Sequence, residues 1–287
     1  MSIRVHIGGR VCLPEDAKIS VFDRGFLYGD SVYETIGTAY GRLFALSDHL
    51  ARLERSADRI GLRAPPRAEI ERAVAETMAA AGNAESRVRI ILTRGAGKLD
   101  LDPAAVDDPQ LVVLVFPLGA PSPDMYENGV SVAIVSVHRN SPRAMDPAVK
   151  SGNYLNNVLA LGEARRSGAY EAILCAADGT VAEGASSNVF IVAGGEIRTP
   201  GLDVGILDGI TRSKILEVCR SNGLPVRETH FTPDELRAAD EVFITSATRG
   251  ALPVTTVDGQ VVGQGKAGVI TRRVMAWYDA LARAGVP

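Results

Sequence analysis

The sequence predicts a two-domain protein in which a small α+β domain precedes a larger α/β domain. Three observations support this fold class. Strand-like and helix-like segments are mixed in the first 118 residues, they alternate after residue 124, and a stretch rich in proline and glycine lies between the two parts. A chain of 287 residues is too long for one small core and suits two modest domains.

The N-terminal domain is predicted to span residues 1–118 and to contain strands and two helices. Alternating apolar residues and β-branched residues predict strands at residues 3–7, 11–13, 31–36, 43–45, 88–92 and 111–115. A pair of glycines predicts the hairpin turn between the first two strands. One helix is predicted from a cap at Ser47 or Asp48 to Ala57, and a second helix over residues 67–81.

Residues 116–123 contain three prolines and one glycine, which predicts a stiff connector. We therefore place an interdomain linker at residues 119–123 and a larger C-terminal domain at residues 124–287. In that domain, strands and helices alternate. Strands are predicted at residues 130–137, 171–176, 187–192, 196–199 and 241–245. Helices are predicted at residues 154–168 and 268–284, with a third that follows residues 209–211.

Composition and charge argue against several classes of protein. The formal net charge is -3 and the Lys and Arg residues are dispersed, so nucleic acid is not expected as a partner. The longest apolar run, near residues 111–118, is far shorter than the ~20 residues of a membrane-spanning helix. The N-terminus lacks a signal peptide's apolar segment, so a cytoplasmic location is expected. The three cysteines and four histidines are scattered, and they predict neither disulfides nor a metal site.

Lys150 is the first candidate for chemistry. It lies at a predicted strand-to-helix junction, among small residues and amides where a solvated face would carry more charge. A lysine that is partly removed from water can lose its proton and attack a carbonyl group. The alternative is an ordinary surface lysine whose stem packs and whose ammonium group is solvated.

Two further segments suggest a site for an anionic, ring-containing group. Glu183 stands between small residues at the entrance to an apolar strand, which is a poor choice for stability. It is either a surface turn carboxylate or a partner for a protonated pyridine nitrogen. Residues 207–213 form a loop of small residues that opens into a helix. The N–H groups and the positive end of a helix dipole suit a phosphate there, although many helices begin with Gly or Thr.

Taken together and in order, these segments resemble the class IV aminotransferases, the fold type IV branch of pyridoxal-phosphate enzymes. The resemblance spans nearly the whole chain. It is carried by short motifs at residues 22–34, 49–53, 150–155, 183–188, 209–212, 240–248 and 253–254. It implies a D-amino-acid aminotransferase-like fold and pyridoxal 5'-phosphate as the cofactor, in the cleft between the two domains. It also implies a homodimer.

The resemblance implies a role for each residue that matches a family motif. Lys150 is similar to the lysine that forms the Schiff base and then moves the proton. Glu183 is similar to the partner of the pyridine nitrogen, and Arg52 to the arginine that binds the phosphate. Tyr154 is similar to the tyrosine that contacts the phenolic oxygen of the ring. The other cofactor-binding residues in these motifs are Ser187 and Asn188.

The phosphate is expected to have ligands besides Arg52. Ile210 and Thr211 are similar to residues that bind it through backbone N–H groups, with the Thr211 hydroxyl as a further ligand. Either Ala247 or Thr248 occupies the place where the family uses another phosphate-binding threonine. If Ala247 is the equivalent residue, its N–H group is still available but one hydroxyl contact is lost.

The resemblance also implies residues around the substrate. These are Tyr28, Tyr33, Thr35, Arg94 and Lys98. Residues 93–101 lack the Arg-x-His carboxylate trap of D-amino-acid aminotransferases and are closer to branched-chain-like members. Arg94 or Lys98 would hold a substrate carboxylate, the alternative being a solvated strand end. Thr35 replaces the Gly or Val of relatives, and Gly37 stands where they often have a basic residue.

The expected activity is transfer of an amino group from a branched-chain-like amino acid donor to a 2-oxo acid acceptor. The alternatives are a D-amino-acid or (R)-amine transaminase and a 4-amino-4-deoxychorismate lyase. A catalytically dead protein that binds the cofactor or dimerises is a further alternative. It is disfavoured because Lys150, Glu183, Arg52 and Thr211 are all present.

Overall fold

The structure is a computed structural model that describes residues 2–119 and 122–285. These residues form two compact units. The first contains the described residues up to Gly119 together with Val149–Asn153 and Gly285. The second contains residues 122–148 and Tyr154–Ala284. The lysine segment therefore belongs to the first unit, whereas the sequence placed it in the C-terminal domain. Of the predicted linker at 119–123, residues 120 and 121 lie outside the described residues.

The first unit is built on a six-stranded antiparallel sheet with the spatial order β2-β1-β6-β5-β3-β4. Its strands are β1 Arg4–Ile7, β2 Arg10–Cys12, β3 Ser31–Ala39, β4 Arg42–Leu43, β5 Ser86–Thr93 and β6 Gln110–Pro117. Its helices are α1 Arg24–Tyr28, α2 Leu46–Arg59 and α3 Arg67–Ala81. The apolar side chains of α2 and α3 form one core with the sheet, in which Val149 from the lysine segment also packs.

Helix α3 has the predicted bounds, but α2 begins before the predicted cap. Its N-cap residue is Ala45, which has a left-handed backbone conformation (φ 54°) and provides no side-chain cap. Ser47 therefore lies inside the first turn, and its hydroxyl accepts a hydrogen bond from Arg67 instead (Nη2–Oγ 2.9 Å). A positive φ at a non-glycine residue is uncommon, so no sequence pattern signalled this start.

The second unit contains a nine-stranded mixed sheet. Its main path runs β12-β11-β10-β13-β14-β7-β8-β9, and β15 pairs with β14. The strands are β7 Val130–Ile134, β8 Glu171–Cys175, β9 Val181–Gly184, β10 Asn188–Ala193, β11 Glu196–Thr199, β12 Val226–Glu228, β13 Glu241–Ser246, β14 Gly250–Val257 and β15 Gln260–Val261. The helices are α4 Pro123–Glu127, α5 Leu155–Arg166, α6 Ile210–Ser221, α7 Pro233–Arg237 and α8 Val269–Ala284.

Both faces of the central strands are covered, which explains their almost continuous apolar sequence. On β10, Val189 and Ile191 pack into one hydrophobic cluster, whereas Phe190 and Val192 pack into another. Successive side chains of a strand point to opposite faces, so such a strand reads as an apolar run. The cluster that contains Phe190 and Val192 also includes residues of α6, and this packing fixes the N-terminus of α6 relative to β10.

Strand β14 was missed because Pro253 lies inside it, and proline disfavours a central strand. In the structure β14 pairs with β7 only from Val254 onward, so the missing N–H group leaves no gap in that ladder. None of the helices in residues 2–119 and 122–285 combines the length and the apolar character that a membrane crossing requires.

Candidate active site

Lys150 lies on an extended segment beside β3, and α5 begins five residues later. The backbone N–H of Tyr33 donates to the carbonyl of Lys150 (2.9 Å), and that of Gly152 donates to the carbonyl of Ser31 (2.8 Å). The Lys150 N–H donates to the Ser56 hydroxyl on α2 (3.2 Å). The lysine backbone is thus fixed by both a strand and a helix.

Gly152 is required for this close approach. A Cβ atom built on Gly152 would lie 2.2 Å from the Ser31 hydroxyl oxygen and 3.3 Å from the Gly29 carbonyl oxygen. The next residue, Asn153, donates from its side-chain amide to that same carbonyl (3.1 Å). The small residues and amides around Lys150 therefore serve to seat its segment against β3.

The side chain of Lys150 points to an aromatic ring. Its Nζ lies 4.6 Å from the centroid of the buried Tyr33 ring. The guanidinium carbon of Arg89 lies 3.8 Å from the same centroid. Two basic side chains therefore contact one ring, which is a cation–π arrangement. Tyr33 was predicted as a substrate-binding residue, whereas Arg89, within a predicted strand, was not singled out.

Arg52 is buried and forms an ion pair with Glu34. The Arg52 Nε lies 2.7 Å from Glu34 Oε1, and its Nη2 lies 2.8 Å from Oε2. His49 Nδ1 is 2.7 Å from the same Oε2. Burial raises the pKa of Glu34, but the Arg52 charge and the hydrogen bonds from Arg52 and His49 outweigh this and lower the pKa to about 2. Both partners were in quoted motifs, yet the sequence assigned them no role.

Arg94 occupies a structural position. Its Nε and Nη2 bind the Asp30 carboxylate (2.7 and 3.0 Å), and it also donates to the carbonyls of Ile60 and Gly61 (2.8 Å each). Its guanidinium is buried among these acceptors, so the predicted role as a carboxylate trap is not supported. Lys98, the other candidate for that role, is exposed beyond β5.

The remaining substrate candidates lie at or near β3. Tyr28 ends α1, is half-buried, and has the Arg24 guanidinium carbon 5.2 Å from its ring centroid. Thr35 is half-buried on β3 and lies opposite Arg89 in the pairing with β5. Their substrate contacts stay a prediction.

Glu183 is buried near the end of β9, and nitrogen groups lie close to both of its carboxylate oxygens. The backbone N–H of Leu207 (3.1 Å) and the Asn188 amide (3.3 Å) donate to Oε2. The Arg139 Nε lies 2.8 Å from Oε1, close enough for an ion pair although its N–H does not point along that line. Arg139 was missed because it lies in an irregular segment where an arginine is normally solvated.

The first turn of α6 receives no hydrogen bond from the side chain of its N-cap residue. Its N-cap residue, Gly209, has no side chain to cap the first turn, in which Ile210 is half-buried and Thr211 buried. A Cβ on Gly209 would lie 2.0 Å from the Asn188 side-chain oxygen, so glycine is needed for the close packing. The Thr211 hydroxyl bonds to Tyr278, and burial raises the pKa of that phenol to about 12.

The turn between β13 and β14 holds the other predicted phosphate ligands. Ala247 and Thr248 are both half-buried there. The next residue, Arg249, donates to the carbonyl (3.0 Å) and hydroxyl (2.8 Å) of Ser186 and thereby ties the turn to the start of β10. The turn that carries these two residues is thus bonded to Ser186, the neighbour of the buried Ser187. Either one stays a candidate ligand.

These groups suit pyridoxal 5'-phosphate. The first turn of α6 has no cap from the side chain of its N-cap residue, which suits a phosphate, and the buried carboxylate of Glu183 would suit a protonated ring nitrogen. Among the residues the structure describes, the buried hydroxyl of Thr245 has no hydrogen-bond partner, and it lies opposite Asn188 in the sheet. Tyr154, half-buried, caps α5 immediately after the lysine segment.

Comparisons with known proteins point to one family. The class IV amino-transferase profile matches residues 31–257. A putative branched-chain-amino-acid aminotransferase of Methanocaldococcus jannaschii is 37% identical over 273 residues, covering 95% of this chain and 94% of the relative. A D-alanine aminotransferase of Bacillus licheniformis has the same identity and coverage.

A solved structure agrees with these matches. The T.th. branched-chain amino acid aminotransferase, solved with pyridoxamine 5'-phosphate, matches with a TM-score of 0.92 and 30% identity. The match covers 98% of this chain and 94% of that chain. The predicted family and fold class are therefore confirmed, and this chain belongs to the class IV aminotransferases, with their fold type IV two-domain architecture.

Proposed function

We propose that this aminotransferase uses pyridoxal 5'-phosphate to move the amino group of branched-chain-like amino acids to a 2-oxo acid. One observation carries the proposal. The backbone of Lys150 is held by β3 and α2, while its Nζ lies 4.6 Å from the buried Tyr33 ring. A lysine in this setting is a positioned nucleophile and base rather than a solvated charge.

When bound, the cofactor supplies an aldehyde that accepts the amino group and a ring that delocalises the electrons left by the departing proton. Lys150 Nζ would hold the aldehyde carbon and then carry the proton between the substrate and that carbon. Because it is tethered beside the reacting atoms, its effective concentration as a base is high. Arg52 and the first turn of α6 would bind the phosphate.

Glu183 would hold the proton on the ring nitrogen. Its carboxylate is oriented by the Leu207 N–H and the Asn188 amide, and Arg139 lies beside it. Tyr154 would donate to the phenolic oxygen. Ser187 and the 246–250 turn would complete the phosphate side.

The choice of substrate rests on two observations. Residues 93–101 lack the Arg-x-His trap, and the burial of Arg94 against Asp30 removes the nearest substitute for it. The solved relative with a TM-score of 0.92 is a branched-chain enzyme. A D-amino-acid aminotransferase is the second candidate, because the D-alanine enzyme is as similar in sequence as the putative branched-chain enzyme.

The proposal is tested by a half-reaction screen. Protein loaded with cofactor is mixed with single L- and D-amino acids, (R)-amines or aminodeoxychorismate, while the absorbance band of the bound cofactor is followed. Loss of the band with L-leucine, L-valine or L-isoleucine supports the proposal. Loss only with D-alanine, D-glutamate or an amine replaces it with the second candidate or an (R)-amine transaminase. Pyruvate release from aminodeoxychorismate, without loss of the band, identifies a lyase.

A homodimer is also proposed. Leu155, Val158 and Leu159 lie on one face of α5 and are 69%, 59% and 56% exposed in the single chain. Their spacing of three and four residues places them on a common stripe, and such contiguous apolar surface usually marks an interface. A second copy of the chain is the partner that the family resemblance implies.

A further inference from the structure

Glu34 is a fully buried carboxylate to which the proposed mechanism assigns no role. It lies on β3 between Tyr33, which contacts the catalytic lysine, and Thr35. Both of its oxygens are used by basic side chains of α2. The guanidinium of Arg52 binds side-on, with one N–H to each oxygen, and this bidentate geometry fixes the guanidinium plane.

His49 is the third member of this buried cluster. An ionised carboxylate is only an acceptor, so the His49 Nδ1 that lies 2.7 Å from Glu34 must carry a hydrogen. His49, Arg52 and Ser56 are spaced by three and four residues, which places them on the same face of α2. Ser56 accepts from the Lys150 N–H (3.2 Å). One helix face therefore holds both the arginine and the lysine segment.

Stability alone is a weak explanation for the cluster. Removing two charges from water costs several kcal/mol, and a well-packed apolar set of similar volume is often as stable. A fixed guanidinium has a different benefit. An arginine whose orientation is set before binding loses less side-chain freedom when an oxyanion arrives.

We propose that Glu34 and His49 are positioning residues that hold the Arg52 guanidinium in the orientation that binds the cofactor phosphate. This inference rests on the proposed function, in which Arg52 is a phosphate ligand. It makes a prediction of definite sign. If Glu34 positions Arg52, its removal weakens phosphate binding. If Glu34 merely offsets the Arg52 charge, its removal strengthens phosphate binding.

The test compares pyridoxamine 5'-phosphate with pyridoxamine, which differ only in the phosphate and form no covalent bond to Lys150. Their dissociation constants are measured by calorimetry on the full-length, cofactor-free chain. The variants are Glu34→Gln, Glu34→Asp, His49→Gln and Arg52→Gln. The matched control is Arg55→Gln, which removes an exposed arginine from the same helix.

We expect Glu34→Gln to weaken binding of the phosphorylated compound by about tenfold or more, with pyridoxamine unaffected. Glu34→Asp keeps the negative charge but has a shorter side chain. We therefore expect it too to weaken binding of pyridoxamine 5'-phosphate but not of pyridoxamine. His49→Gln should give a smaller loss of the same kind, and Arg55→Gln none. Glu34→Asp and His49→Gln keep the inference testable if Glu34→Gln does not fold.

Other outcomes separate the inference from the proposed function. A selective loss in Arg52→Gln but in no Glu34 or His49 variant would overturn the inference and leave the role of Arg52 intact. No selective loss in Arg52→Gln would overturn both. Tighter phosphate binding in Glu34→Gln, or an equal loss for both compounds together with a lower Tm, would also overturn the positioning role.

Discussion

Glu183 has three polar neighbours. The Leu207 N–H and the Asn188 amide donate hydrogen bonds to its carboxylate, and Arg139 lies beside it with a positive charge. The motif around Glu183 was enough to propose a role for this residue. Its partner Arg139 lies 44 positions earlier in the chain and in no recognised motif, so only the folded structure brings the two together. The same holds for Ser56, which lies 94 positions from Lys150. Motifs predict the groups that react, whereas the groups that hold them depend on tertiary packing.

Lys150→Ala is expected to lower turnover of the loaded enzyme by at least about a thousandfold, because the proposed mechanism depends on this side chain as both nucleophile and base. The fold should persist, since the backbone hydrogen bonds that hold the segment do not depend on the identity of the side chain at position 150. Steady-state kinetics and a thermal melt check both points. Retained turnover contradicts the mechanism. A large fall in Tm contradicts the conclusion that backbone hydrogen bonds hold the lysine segment in place.

Arg139→Gln is expected to lower kcat about tenfold, because a charge-assisted contact to the Glu183 carboxylate is lost. Cofactor occupancy, measured by absorbance, should change little. Arg143→Gln, an exposed arginine in the same irregular segment, is the control. An unchanged kcat in Arg139→Gln would show that the ion pair has no part in the reaction.

Helices and strands were predictable where their ends carry local signals. Helix α3 follows Pro66 and ends at Gly82, whose left-handed conformation (φ 62°) stops it, and both residues are visible in the sequence. The start of α2 at the left-handed Ala45 and the strand through Pro253 run against local preference. In both places, tertiary contacts outweigh the local conformational preference of the residue.

Gly209→Ala is expected to test how closely α6 packs on Asn188. The new Cβ would lie 2.0 Å from the Asn188 side-chain oxygen, so we expect the unfolding free energy to fall by about 1–3 kcal/mol, with weaker cofactor binding. Gly162→Ala on α5 is the control, because its nearest heavy atom is 3.9 Å away. There we expect no loss, and up to about 1 kcal/mol of gain. Denaturant titration of both variants measures these changes in the unfolding free energy.

The stability of the whole molecule should depend on pH through Glu34. Its pKa is lowered from 4.5 in the unfolded chain to about 2 in the fold, so its contribution is complete above pH 4.5 and is lost as the pH falls towards 2. The loss should reach about 3 kcal/mol. Denaturant titrations of wild type and Glu34→Gln isolate this contribution from other carboxylates. Parallel pH curves for the two proteins would contradict the assignment.

Assembly is the other property of the whole molecule that an experiment can reach. Leu159→Lys puts a charge in the apolar stripe of α5, so we expect the dimer dissociation constant to rise by at least about tenfold. Light scattering after gel filtration measures it. Val261→Lys, at a similarly exposed apolar position in β15, is the control. If the wild type is a monomer, or if Leu159→Lys leaves the dimer dissociation constant unchanged, this face of α5 is not the dimer interface.

The order of motifs along the whole chain was enough to predict the family and the fold type. It was not enough to assign the lysine segment to its unit, because that depends on the pairing of residues 149–153 with β3. It also leaves the substrate open between relatives of equal identity.

The return of Val149–Asn153 to the first unit has a consequence for protein engineering. A chimaera that exchanges only residues up to Gly119 with a relative would pair a foreign β3 with the native lysine segment. The contact of Gly152 with Ser31 tolerates no extra atom on the glycine, so the two surfaces must match. Recombination of this protein should therefore use two crossover blocks, moving residues 149–153 together with the N-terminal part.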